Sequence, residues 1–308
     1  MPLCIGLKSG LIVAGGVALV MGLGACSPLT VLNAVTPSST YEKSADIAYG
    51  DDPRQRLDVY KPQNTSSPAP VVVFFYGGSW NSGKRADYAF VGSALASRGI
   101  VTVVADYRLY PQVRYPSFIE DSAAAVAWTN SQIARFGGDA QHIFVMGHSS
   151  GAYNASMVAL DKRWLAQSGL SPNNIVRGWI GLAGPYDFLP IENPAVKPVF
   201  HFPNSPPDSQ PINYALAGSP PALLIAASED KLVNPQRNTG GMATKLKAAG
   251  VSVKEIYYPK PSHVTLIASV VWPFQHLAPV LDDIDQFVKS DGGRIGTDSA
   301  KIGNRTSP

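Results

Sequence analysis

The sequence predicts an α/β fold, a mostly parallel, twisted sheet with helices on both faces, and three observations carry that prediction. From Asp46 onward, short runs rich in β-branched and aromatic residues alternate with segments of helical spacing. Residues 71–75 and 100–105 are apolar almost without interruption, as parallel strands buried on both faces are. Hydrophobic residues make up 45% of the 308 and charged residues 15%, which is enough apolar surface for one large core and too little charge for a disordered chain. The net charge of +3 sets the chain apart from strongly basic nucleic-acid binders, so no nucleic-acid partner is expected. Glycine (28) and proline (26) are abundant but follow no period, the composition of a loop-rich globular protein.

In order along the chain, Leu57-Asp58-Val59-Tyr60 alternates apolar with polar or amphipathic residues and predicts an early, exposed strand. Residues 71–75 form the first central strand, residues 86–97 have helical spacing and stop at Gly99, and residues 100–105 form the next strand. A helix is expected over 117–136, closed by Gly137-Gly138-Asp139, and is followed by a strand at 143–146, a tight turn at 147–151 and a helix of small residues at 152–160. Further strands are predicted at 176–182, 222–227 and 253–257, and further helices at 236–249 and 277–289. The proline-dense segment 185–221 lies before the strand at 222–227 and reads as a cap-like insertion, long enough to cover a pocket. Residues 291–308 are rich in Gly, Ser and Thr and read as a flexible tail, which leaves 46–290 as the folded domain.

At the other end, Lys8 precedes an apolar run over 11–23, the layout of a bacterial secretory signal and shorter than the ~20 residues a membrane-spanning helix needs. Leu23-Gly24-Ala25-Cys26 resembles the lipobox of bacterial lipoproteins. The resemblance implies that residues 1–25 are removed as a signal peptide, that the Cys26 sulfur is acylated, and that Ser27 directs delivery to the outer membrane, facing periplasm or exterior. An ordinary signal peptide cleaved nearby is the alternative. With Cys4 discarded and Cys26 acylated, no thiol is left for a disulfide. Losing Lys8 takes the formal charge from +3 to +2, so such an anchor acts through its acyl chains, at about 0.8 kcal/mol per buried methylene. Residues 26–45 read as the tether.

The chemistry concentrates at the ends of the predicted strands. Gly147-His148-Ser149-Ser150-Gly151 joins a strand to a helix, the context of a nucleophile elbow, with Ser149 exposed on a strained turn and glycines where side chains would collide. The start of the following helix directs N–H groups and a partial positive charge toward a developing oxyanion. A second loop, Phe74-Phe75-Tyr76-Gly77-Gly78-Ser79-Trp80, leaves the first central strand, and its glycines let the backbone approach a reacting carbonyl. A serine hydroxyl needs a histidine to take its proton and a carboxylate to fix that histidine's tautomer. In the chain order Ser, acid, His, the loop Ser228-Glu229-Asp230-Lys231 offers Asp230 and its rival Glu229 as the acid, and His263 in Pro261-Ser262-His263 supplies the base. His276 is the downstream competitor; His142, His148 and His201 lack the order and read as solvent-facing or hydrogen-bonded.

These motifs resemble those of the α/β-hydrolase superfamily, in particular carboxylesterases like hormone-sensitive lipase, kynurenine formamidases and isoprenylcysteine methylesterases, whose loop usually reads His-Gly-Gly. Gly77 and Gly78 match that loop, whereas Tyr76 stands in place of its histidine and leaves open what anchors the loop. The resemblance implies oxyanion donors at the N–H groups of Gly78, Ser79 and Ser150, and, because the family's acid loop has an aspartate followed three residues later by an apolar residue, here Val233, it implies Asp230 as the acid. Asp106-Tyr107-Arg108-Leu109, Pro111, Pro116, Asp121 and Trp128 resemble a scaffold segment of the same families, and Arg108 with Asp121 reads either as a buried ion pair or as a surface pair worth under ~1 kcal/mol.

The function this implies is hydrolysis of a small-molecule carboxylic ester by a serine enzyme, through an acyl-enzyme, with no metal and no cofactor. Trp80 and the insertion's Tyr186, Phe188, Phe200 and Phe202 read as pocket lining or as packing. The absence of a long apolar lid leads us to expect short to medium acyl chains, and a histidine base implies a rate that falls below about pH 6.5. Two other readings are an arylformamidase-like amide hydrolase, because Gly77-Gly78-x-Trp80 is shared with that group, and a tethered binding protein that lost turnover. An envelope address disfavours the first, and an intact set of Ser149, Asp230 and His263 disfavours the second.

Overall fold

The computed structural model describes residues 39–64 and 68–293, together with Leu29, Leu32, Asn33 and Thr36. The expected signal peptide and Cys26 lie outside the described residues, as does most of the expected tail. Eight strands, β1 (Tyr41–Ala48), β2 (Arg56–Pro62), β3 (Ala69–Phe75), β4 (Val101–Ala105), β5 (Gly138–His148), β6 (Val176–Leu182), β7 (Ala222–Ala227) and β8 (Val253–Tyr258), form one sheet in the order β1-β2-β4-β3-β5-β6-β7-β8. The pairs β1–β2 and β2–β4 are antiparallel, and every other pair is parallel. The helices are α1 (Ala89–Ala96), α2 (Ser117–Gln132), α3 (Ser150–Leu160), α4 (Lys162–Ala166), α5 (Pro172–Ile175), α6 (Gly241–Ala248), α7 (His263–Ala268) and α8 (Val280–Lys289).

The β-branched run of β3 is buried along nearly its whole length, because α1 covers one face of the sheet and α2 and α3 the other. This follows from right-handed crossovers. The chain runs from β3 outward to β4, then back across β3 to β5, so successive helices fall on opposite faces. Contacts of α1 with α8 and of α2 with α3 agree with that division. The direction of progression reverses at β3, and the loops leaving the carboxyl ends of β3 and β5 diverge across one crevice, where such sheets bind ligands.

The sequence expectations need two corrections here. The segment Leu57–Tyr60 is buried, not exposed. The β1 strand pairs along its outer edge, α1 brings Gly92 against the Tyr60 ring, and Asp58 is accommodated by ion pairs with Lys43 at 2.8 Å and Arg85 at 2.8 Å. The expected tether also ends early, since residues 41–45 belong to β1. Weak intrinsic strand preference in Tyr-Glu-Lys-Ser-Ala is overridden there by a ladder to β2, from Tyr41 opposite Pro62 to Ala48 opposite Arg56. Leu32 is buried, and the Asn33 side chain bonds both Ala86 O and the Phe90 N–H.

Smaller adjustments concern ends. A π turn over Gln236–Gly240 precedes α6, and α8 begins at Val280 after Pro279, whose ring nitrogen has no hydrogen to give and is tolerated at a helix start. The insertion 185–221 contains only short 3-10 turns, Lys197–Phe200, Pro207–Ser209 and Pro211–Tyr214. It is fixed by side chains, one from outside the insertion and one from within it. Asn238 Oδ1 accepts the N–H groups of Tyr186 at 2.7 Å and Asp187 at 2.9 Å, and Gln210 Oε1 accepts that of Phe188 at 2.7 Å.

Candidate active site

Ser149 ends β5 and caps α3 with φ 55 and ψ −124, a conformation that costs a non-glycine residue on the order of 1–3 kcal/mol. The surrounding backbone imposes it. A Cβ on Gly147 would lie 2.1 Å from Gly151, and one on Gly151 would lie 2.0 Å from Phe75 O, so strand, turn and helix meet at distances only hydrogen can occupy. The Ser149 N–H donates to Leu182 O of β6 at 2.8 Å, which ties the turn to the neighbouring strand.

His263 opens α7, behind the reciprocal cap made by Ser262 and Thr265. Its Nε2 lies 2.9 Å from Ser149 Oγ and its Nδ1 2.6 Å from Asp230 Oδ2. A carboxylate only accepts, so Nδ1 carries the hydrogen and Nε2 presents its lone pair to the serine hydroxyl. The other carboxylate oxygen, Asp230 Oδ1, accepts the N–H groups of Leu232 at 2.8 Å and Val233 at 3.0 Å. Burial by itself raises the Asp230 carboxyl, but the bonds from His263 and these backbone donors outweigh it and hold the carboxyl below its ordinary range. The carboxylate therefore stays ionised at neutral pH. The rivals are elsewhere: Glu229 is exposed beside Lys231, and His276 bonds Pro273 O from a turn of its own.

His148, inside the elbow, is buried and hydrogen-bonded. Its Nε2 donates to the His263 carbonyl at 2.9 Å, while desolvation, then the proximity of His263, push its pKa down to about 3. This neutral imidazole links the turn at Ser149 to the start of α7 at His263, a long-range contact for which the sequence carries no local signal.

The loop after β3 closes the other side. Gly77 contributes by its size, since a Cβ there would sit 3.0 Å from Ser149 Cβ. Gly78, Ser79 and Trp80 all take positive φ, at 133, 52 and 58, and the Gly78 carbonyl accepts the N–H groups of Asn81 and Ser82, so the turn's own bonds use its carbonyl side. Ser150 is the first residue of α3, whose N–H has no acceptor within the helix. Ser79, Ser149 and Ser150 line one cavity of about 300 Å³.

Trp80 also lines that cavity and is held there, because its Nε1 donates to Asn154 Oδ1 of α3 at 3.0 Å and Phe200 and Tyr153 meet it edge-on. Of the insertion's aromatics only Phe188 lines the cavity; Tyr186 and Phe200 are buried behind it and Phe202 is exposed. Ile191 and Val196 extend the apolar wall, and Asn193, Asn234 and Arg237 give it a polar margin that residue types alone did not reveal. Asp121 is buried, takes a two-pronged bond from the partly exposed Arg108 and also accepts from Gln55 Nε2 at 2.7 Å, which makes the pair half-buried and ties the segment after β4 to α2.

A hydroxyl bonded to an imidazole, the imidazole bonded to an ionised carboxylate, and a helix start facing the same space can together activate a nucleophile and stabilise an oxyanion. Curated relatives carry names of that chemistry. They include a probable isoprenylcysteine alpha-carbonyl methylesterase of Arabidopsis thaliana, 28% identical over 249 residues that cover 71% of this chain and 50% of the relative. Another is esterase LipC of Mycobacterium tuberculosis, 31% identical over 224 residues that cover 67% of this chain and 55% of the relative. The chain thus spans about half the length of the curated relatives it matches. Among solved structures, esterase B of Lactobacillus rhamnosis in a tributyrin phosphonate complex superposes with a TM-score of 0.74 at 19% identity, covering 94% of this chain and 96% of that one. An esterase of Pyrobaculum calidifontis gives 0.68 at 24% identity, with coverage of 85% and 86%. At these identities the structures establish the fold, the α/β-hydrolase fold. The family model described as BD-FAE matches residues 57–246, a span that holds both loops at β3 and β5 and the acid loop after β7, and the chain belongs to that family within the α/β-hydrolase superfamily.

Proposed function

We propose that the protein hydrolyses carboxylic esters with short to medium acyl chains, with Ser149 as nucleophile, His263 as general base and acid, and Asp230 as the carboxylate that orients His263. The observation that carries this reading is the unbroken relay from Ser149 Oγ to His263 Nε2 at 2.9 Å and from His263 Nδ1 to Asp230 Oδ2 at 2.6 Å, with Ser149 and His263 lining a cavity of mixed apolar and polar walls. Ser149 Oγ attacks the ester carbonyl as its proton passes to His263 Nε2, and the negative charge that develops on the carbonyl oxygen is received by the N–H groups of Gly78, Ser79 and Ser150. Collapse of the tetrahedral species breaks the ester C–O bond, with the proton on Nε2 going to the departing alcohol. Water, deprotonated by the same nitrogen, then attacks the acyl-enzyme and releases the carboxylic acid.

The esterase names of the curated relatives support the reaction class, and the cavity of about 300 Å³, closed by Phe188 and Val196, favours acyl groups of modest length. Anchoring in the cell envelope through acylated Cys26 belongs to the same proposal and rests on the sequence. The deciding assay is hydrolysis of p-nitrophenyl acetate, butyrate and octanoate by wild type and Ser149→Ala. We expect a rate that needs Ser149 and is highest on the shorter esters. Equal rates in both proteins would sink the assignment of the nucleophile, and faster turnover of emulsified long-chain triglyceride than of the butyrate ester would sink the acyl preference. Incorporation of labelled fatty acid, lost in Cys26→Ser, tests the anchor.

A further inference from the structure

We propose that Tyr76 is a positioning residue for this reaction: through a buried hydrogen bond to Asp106 its hydroxyl holds the oxyanion loop in register with Ser149. The inference rests on the esterase reading. Tyr76 stands immediately before Gly77, and its hydroxyl donates to Asp106 Oδ1 at 2.7 Å while accepting from Arg54 Nη2 at 2.8 Å. The same Arg54 Nη2 donates to Gly83 O at 2.9 Å, so a single guanidinium grips the phenol at one end of loop 77–83 and the carbonyl at the other.

The backbone of Tyr76 is fixed as firmly as its side chain. Tyr107 donates from its hydroxyl to Tyr76 O at 2.8 Å, and the Tyr76 ring stacks between Tyr88 at 5.3 Å and Tyr107 at 4.9 Å. A Cβ on Gly151 would lie 2.5 Å from Tyr76 O, which puts this carbonyl against the elbow itself. Asp106 is secured in turn by the Arg85 N–H at 2.7 Å and the Arg85 guanidinium, and Arg85 also reaches Asp58 of β2. The loop's ends are thus clamped by one polar cluster, buried at Tyr76 and Asp106 and reached from the surface by Arg54 and Arg85, and what is left for its middle is to aim N–H groups. Burial, then the neighbouring Tyr107 and Asp106, raise the Tyr76 phenol far above its ordinary value, so it stays a donor across the working pH range.

Removing one hydroxyl that does not touch substrate should act on the transition state more than on substrate binding, because the oxyanion exists only there. Tyr76→Phe keeps the stacked ring and leaves Asp106 with its Arg85 bonds, so the fold is expected to survive. On p-nitrophenyl butyrate we expect kcat to fall about 10-fold with KM within about 2-fold, less than the ~100-fold typical of deleting an oxyanion donor outright. Butylboronic acid, whose adduct with a serine places an oxygen where the oxyanion forms, should bind about 10-fold more weakly, in step with kcat. Tyr60→Phe is the control: it deletes an equally buried hydroxyl that has no hydrogen-bond partner among the described residues, and should leave kcat and boronate binding at wild-type values.

A Tyr76→Phe enzyme indistinguishable from wild type overturns the proposal. So does a variant whose KM rises as much as kcat falls, with a lowered melting temperature and unchanged boronate affinity, since that pattern is general loosening. A wild type that neither hydrolyses the ester nor binds the boronate removes the esterase reading and this inference with it, whereas an active wild type with an unaffected variant removes only this one.

Discussion

The two walls of the cavity are built by different physics. On one wall, the turn at Ser149 and the loop after β3 are locked by backbone against backbone, with Gly151 packed on Phe75 O and Gly77 on Ser149. The opposite wall, from the insertion 185–221, is irregular chain held mainly through side chains: Asn238 and Gln210 accept its N–H groups, Tyr153 donates to Ser209 O, and Phe200 packs against Trp80 and Tyr115. Steric exclusion leaves the first wall one conformation, which suits a group that must meet an oxyanion within a fraction of an ångström. Side-chain contacts of about 1 kcal/mol each can be exchanged one at a time, which under the proposed function suits a part that would select an acyl group.

Four substitutions probe this contrast, from the largest effect to the smallest. Ser149→Ala should lower kcat on p-nitrophenyl butyrate by at least ~10⁴-fold with an unchanged circular dichroism spectrum, because the relay loses its nucleophile while the surrounding backbone keeps the turn in place. Gly151→Ala should break the rigid wall as structure: the added carbon has no room beside Phe75 O, and thermal or urea unfolding should show a loss of about 3 kcal/mol or more. A near-wild-type melting temperature would mean the backbone contact yields easily, and the contrast would be lost.

The soft wall should respond differently. Asn238→Ala leaves the Tyr186 and Asp187 N–H groups without their acceptor, which should cost about 2 kcal/mol of stability and shift acyl preference, read as the ratio of kcat/KM for octanoate to acetate. We expect kcat on the preferred ester to change less than that ratio does. The reverse ordering would mean that the insertion carries chemistry as well as selectivity.

The smallest effect concerns acid stability. His148 is buried neutral with its pKa pushed down to about 3, so between the ordinary histidine value of about 6.5 and 3 the unfolded chain binds a proton the folded chain does not. The unfolded state binding more protons means that stability rises with pH through this window and falls on acidification. Near pH 5 the loss from this group is about 2 kcal/mol. His148→Gln, which can keep a donor to His263 O, should flatten that part of the stability curve relative to wild type in urea titrations at pH 7 and pH 5. Parallel curves for the two proteins would show that His148 is not the group responsible.

Legibility from sequence follows the same division. Ser149, Gly147 and Gly151 could be read because a strand-to-helix turn tolerates glycine alone at its crossing points, and Asp230 and His263 because a parallel sheet fixes the order in which its strand ends are reached. The strands β6 and β7 fall where apolar β-branched runs put them. The edge strand β1 was missed since its residues show no alternation and gain order only by pairing with β2. Burial of Leu57–Tyr60 was missed for the same reason: what covers it comes from β1 and α1.

By itself, then, the amino-acid sequence determined the sheet's central strands, the nucleophile's turn and the order of the catalytic candidates, because each depends on sterics within a few residues or on chain direction. Only the tertiary structure decided that the Tyr76 hydroxyl meets Asp106, that Asn238 holds the start of the insertion, and that His148 joins the elbow to His263. Those features are hydrogen bonds between residues 30 to 115 positions apart, such as Tyr76 with Asp106 and His148 with His263. Such bonds depend on where the sheet brings its strand ends, which no local pattern records.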